Sequence, residues 1–84
     1  MPASSDSLPD ELEHELLTRF RYHPPRDDQI ERFQRLRVLA LQLAQEIAHS
    51  VPPSREQSLA WTHLEQTVMY ANAGIARREH PDDT

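Results

Sequence analysis

The sequence predicts an all-α fold, a short N-terminal helix followed by two long antiparallel helices, assembled as a homo-oligomer. Three observations carry this. Apolar residues recur at intervals of three and four and nowhere alternate as they would in a half-buried strand. Two Pro-Pro pairs, Pro24-Pro25 and Pro52-Pro53, divide the chain into three segments, because proline fixes φ and restricts the residue before it. The apolar stripe of the middle segment is wider than the ~100° that one partner helix covers.

The first helix is expected over about residues 9–20. Ser7 and Asp10 have the spacing of a capping box, Asp10, Glu11 and Glu13 favour the positive end of the helix dipole, and Leu12, Leu16 and Phe20 form its apolar stripe. The second is expected over about 28–49. Ile30, Phe33, Leu36, Ala40, Leu43, Ala44 and Ile47 give it a 3-4 rhythm, which Leu39 and Leu41 widen. Val51-Pro52-Pro53-Ser54 ends that helix, and Ser54 with Gln57 caps the third, expected over 54–78. There Trp61, Leu64, Val68, Ala71 and Ile75 make one seam. So short a turn between two long helices implies an antiparallel hairpin. A single helical domain then spans 7–79, between polar, proline-bearing ends (1–6 and 80–84) expected to fray.

Composition narrows the function. Eighty-four residues, 37% of them hydrophobic, make a small core that gains from self-association. There is no cysteine, hence no disulfide or thiolate chemistry. No leader and no membrane-length apolar run is visible, which points to a soluble cytoplasmic protein. A net charge of −5 argues against DNA or RNA binding. All nine positive charges are Arg; GC-rich coding explains that, and so does a need for bidentate phosphate recognition. The five histidines show no helical pairing suited to a metal, and Glu11 with Glu15 has the look of a solvated face. No nucleophile has a neighbouring base and no Gly-rich loop occurs, so neither an enzyme nor a cofactor is expected.

Four features bear on binding, each with two readings. Phe20, Tyr22 and His23, flanked by arginines and the stiff Pro24-Pro25, either stack on a base or pin a loop to the hairpin. Arg37, at the edge of the apolar stripe, either snorkels to solvent or meets an anion at a subunit boundary. Gly74, between Tyr70 and Arg77 on one face, admits a close helix or a ligand, and Arg77 also complements the helix dipole. Asn72 suits either a ligand or the register of a helical interface.

An ordered series of motifs runs through these features: Arg21-Tyr22-His23-Pro24-Pro25, Glu31-Arg32, Leu36-Arg37, Pro53-Ser54-Arg55-Glu56, Ser58-Leu59-Ala60, Leu64-Glu65, Val68-Met69, Ala71-Asn72-Ala73 and Ile75-Ala76-Arg77. Over roughly residues 20–78 it resembles the phage anti-CBASS protein 2 family. The resemblance implies homo-hexamers of helical hairpins that sequester cyclic oligonucleotide messengers of bacterial CBASS immunity in the host cytoplasm without degrading them. It implies cyclic dinucleotides between paired protomers, with Tyr22 stacking on a base and Arg37 (a lysine in other members) on phosphate; Phe20 and His23 of the same segment are expected beside them. It implies cyclic trinucleotides in separate pockets, at Arg77 with the adjacent Arg78 and Asn72. An N-terminal extension through residue 19 is longer than the family leads one to expect. Two other functions fit the composition: a helical oligomerisation module that binds another protein, and, against the net charge, an RNA-binding adaptor.

Overall fold

The computed structural model describes residues 7–80, and among them three helices and no strand: α1 (Asp10–Phe20), α2 (Gln29–Ser50) and α3 (Arg55–Arg78). Residues 1–6 and 81–84, which include most of the ends expected to fray, lie outside the described residues.

Helix α1 starts close to where it is expected, with Pro9 at the N-cap position (φ −54°, ψ 146°) and its carbonyl accepting the Glu13 N–H at 2.9 Å. The buried edge differs from the expected stripe: Thr18 is buried, Leu16 is half-buried, and Leu12 and Phe20 are exposed. The helix is tied to α3 at Glu15, which accepts from Arg78.

Arg21 leaves α1 in extended geometry, and the prolines keep it extended to Asp27. There φ is 52°, a left-handed turn that Asp tolerates better than most residues. Asp28 occupies the N-cap of α2 without a side-chain cap, and its carboxylate pairs with Arg32 one turn on. At the other end of the hairpin, Ser54 Oγ accepts the Gln57 N–H at 3.1 Å, the expected cap. The reciprocal half of the box is replaced: the Gln57 amide donates to the Val51 carbonyl at 3.0 Å.

Helices α2 and α3 form the one extensive packing surface among the described residues. Phe33, Leu36, Ala40, Ala44 and Ile47 are half-buried on one side, with the Trp61-Leu64-Val68-Ala71-Ile75 seam half-buried on the other. Trp61 Nε1 donates to the Ala44 carbonyl at 3.1 Å and fixes the register. Two buried glutamines pin the ends. Gln57 closes the turn, and Gln29 joins the start of α2 to the end of α3 by donating to the Ile75 carbonyl (3.1 Å) and to Glu79 (2.9 Å). The Gln29 carbonyl accepts the Arg26 N–H at 2.9 Å, so all of that amide is used.

No hydrophobic residue among those described is fully buried. The radius of gyration is 18.4 Å with extents of 60 × 33 × 14 Å, whereas a compact domain of this length has roughly 11–12 Å. Leu39 and Leu41, which widen the stripe of α2, are exposed, as are Val38 and two members of the expected stripe itself, Ile30 and Leu43. An apolar groove of about 560 Å³ runs along the hairpin, floored by Ala40, Ala44, Trp61, Leu64 and Val68 and flanked by Leu41 and Met69.

Candidate functional site

Beside that groove lies a second concavity of about 310 Å³, built from all three helices and the first loop. Tyr22 and His23 reach it from the loop, Arg19 from the last turn of α1, Phe33 and Arg37 from α2, and Asn72 and Arg77 from α3. Four arginines (Arg19, Arg21, Arg37 and Arg77) line it, and no carboxylate does. In a chain of net charge −5, such a recess is locally electropositive, because nearby charges outweigh the distant net charge.

Tyr22 is 79% exposed, an aromatic face with little of its own protein against it. His23 is oriented by its backbone neighbour: Nε2 lies 2.7 Å from the Thr18 carbonyl, and since a carbonyl only accepts, Nε2 carries the proton. Asn72 Oδ1 is buried without a hydrogen-bond partner. A buried acceptor left unpaired costs about 1–3 kcal/mol, so a donor on a ligand or partner would be favoured there. A smaller niche of about 150 Å³ shares Tyr22 with the recess and is also lined by Arg21, His23, Pro24, Arg26, Ala76 and His80.

Of the seven residues singled out from sequence, five share this recess: Tyr22, His23, Arg37, Asn72 and Arg77. Residues that the resemblance divides between two ligands thus meet on one protomer. The other two stand elsewhere. Phe20 is 82% exposed and lines neither the recess nor the niche. Arg78 turns toward α1 and grips the Glu15 carboxylate with two hydrogen bonds of 2.9 and 2.8 Å. Successive helical residues point about 100° apart, which sends Arg77 to the recess and Arg78 to Glu15. Gly74 has open space where a Cβ would be, so no helix of its own protomer makes the close approach that a mid-helix glycine allows.

Glu15 also corrects the expectation of a solvated acidic face. Its carboxylate accepts from Arg78 and from Arg19 Nε, and those two guanidiniums lower its pKa to about 2. At the open end of the hairpin Glu79 is likewise held down to about 2, by two hydrogen bonds of 2.6 Å from Arg32 and one from Gln29. Arg32 and Arg78 are correspondingly raised by these carboxylates. Arg19 and Arg21, which from sequence only flank the aromatic segment, belong to the lining itself.

Among the described residues no group of three or more His, Cys, Asp or Glu is placed to hold a metal ion, and no helix is long and apolar enough to cross a membrane. Neither a curated protein nor a solved structure matches the chain. The family model described as the Acb2/Tad1 hairpin domain matches residues 12–76. That match opens within α1, so only residues 1–11 precede it, a shorter extension than the motif series implies, and Arg77 and Arg78 fall just past its end. With most of its length in that match, the chain belongs to the Acb2/Tad1 hairpin-domain family, the anti-CBASS protein 2 family whose motifs it carries.

Proposed function

We propose that this chain is a sponge: it binds cyclic di- and trinucleotide second messengers, keeps them intact, and so inhibits CBASS antiviral signalling in the host bacterial cytoplasm. The observation that supports this best is the acid-free recess in which Tyr22, Arg37, Asn72 and Arg77 converge. Arginine forks match phosphate oxygens, a tyrosine face stacks on a base, and the unpaired Asn72 acceptor suits an exocyclic amine or a hydroxyl.

Affinity requires more than one protomer. A stacked base contributes about 1–3 kcal/mol and a charge-assisted hydrogen bond about 1.5–3 kcal/mol. Nanomolar capture needs about 12 kcal/mol. One tyrosine and one arginine fall well short, and two symmetric copies approach that order before the costs of association. A cyclic dinucleotide with two like phosphates has a twofold axis, and an isologous dimer presents each residue twice about such an axis. The exposed apolar groove supports this assembly, and Arg37 borders both it and the recess. A second copy lying in the groove would therefore come next to Arg37. We place the dinucleotide at that boundary and the trinucleotide at the Arg77 and Asn72 side, in an assembly of several protomers, a hexamer in the family.

The same groove favours one other reading, a helical module that docks a different protein. The two separate on a binding assay. Tyr22→Ala and Arg37→Ala should each weaken cyclic dinucleotide capture at least 10-fold with sedimentation unchanged, as losing one stack or one charged hydrogen bond per protomer implies. If both variants bind as the wild type does, the recess is not the site. Heating the complex should return the intact nucleotide; recovery of a linear product would make the protein an enzyme instead.

A further inference from the structure

Resting on the sponge reading, one side chain stands out that the motif series leaves without a role. Arg19 closes α1 and lines the recess beside Tyr22 and Arg37. Its place there depends on where α1 sits, and α1 is held by little. Extensive packing is confined to α2 against α3. What ties α1 to the hairpin, beside the burial of Thr18, is the fork of Arg78 on Glu15. Glu15 stands between two guanidiniums, with Arg78 from α3 on one side and Arg19, one turn along its own helix, on the other. One carboxylate thereby anchors the helix and aims the arginine.

We infer that Arg19 is a further ligand-contacting residue of the recess, and that Arg78 is a positioning residue which acts on the ligand only through Glu15 and Arg19. This reverses the role that the resemblance suggests for Arg78. It also gives α1 a task in binding, as the arm that delivers a cation to the phosphates. An ion pair this exposed adds little to global stability, yet it can decide the orientation of a helix that packs less extensively than α2 and α3 do.

The test is titration calorimetry with 3′,3′-cyclic GMP–AMP and with cyclic triadenylate, on proteins whose assembly is checked by sedimentation. Arg19→Ala should weaken at least one of these probes roughly 10- to 100-fold, the loss of one charge-assisted contact. On that probe Arg78→Ala should cost roughly 5- to 10-fold in the wild-type background and nothing further in the Arg19→Ala background, since coupled residues are not additive. Arg78→Lys, which keeps the attraction to Glu15, should recover part of the loss. Amide exchange across residues 10–20 should quicken in Arg78→Ala and stay unchanged in Arg19→Ala. Equal losses from Arg78→Ala in both backgrounds would mean that Arg78 touches the ligand itself and overturn the inference. So would full affinity of Arg19→Ala for both probes. Wild-type protein that binds neither probe would instead defeat the sponge reading, and this inference with it.

Discussion

Arg37 on α2 and Arg77 on α3 line the same recess of one protomer, although the family resemblance assigns them to different ligands. They differ in what lies beyond. Arg37 also borders the apolar groove, and Arg77 does not. A protomer seated in the groove would abut Arg37 and leave Arg77 apart from that boundary.

On the proposed reading, the two ligands can be held at once. Protein saturated with a cyclic dinucleotide should still take up a cyclic trinucleotide with an affinity within a few-fold of that of the free protein. Competition calorimetry measures this directly. Strict mutual exclusion would mean that the recess is one undivided site.

Self-association should depend on the exposed apolar stripe. Leu41 is 59% exposed at the groove edge, so an Asp there costs the lone hairpin little while placing a charge in the proposed interface. Leu41→Asp should sediment as a smaller species than wild type and lose most of its dinucleotide affinity, with helicity by circular dichroism retained. An unchanged sedimentation coefficient would place the interface elsewhere.

Acid should loosen the molecule at two points. Glu15 and Glu79 have pKa values lowered from 4.5 to about 2 by the arginines that grip them. A depressed carboxylate contributes stability that is fully present above its unfolded value and is lost as pH falls through its folded one. Docking of α1 and closure of the hairpin end should therefore hold above about pH 4.5 and fade toward pH 2. Side-chain carboxyl shifts followed by NMR should give midpoints near 2 for these two residues; midpoints near 4.5 would show that the forks do not persist in solution.

The helices were legible because their signals are local. Apolar spacing, paired prolines and the Ser54 cap each act within a turn or two of chain. The polar anchors were not. Gln29 is buried only because Ile75 and Glu79 lie against it from the far end of α3, and nothing near position 29 announces that. The acidic face of α1 misled for the same reason, since the partner of Glu15 lies on another helix. At the site, residue types such as Tyr22, Arg37 and Asn72 suggested binding. Which of two adjacent arginines points inward depends on helical phase, and that phase is set by the packing of α3 against α2.

The central claim is capture at a boundary between protomers, and a single calorimetric titration with a cyclic dinucleotide tests it most directly. The expected result is a dissociation constant in the nanomolar range, on the order of 12 kcal/mol of binding free energy, with one ligand for every two chains. No heat with any cyclic nucleotide, or one ligand per chain at micromolar strength, would contradict it.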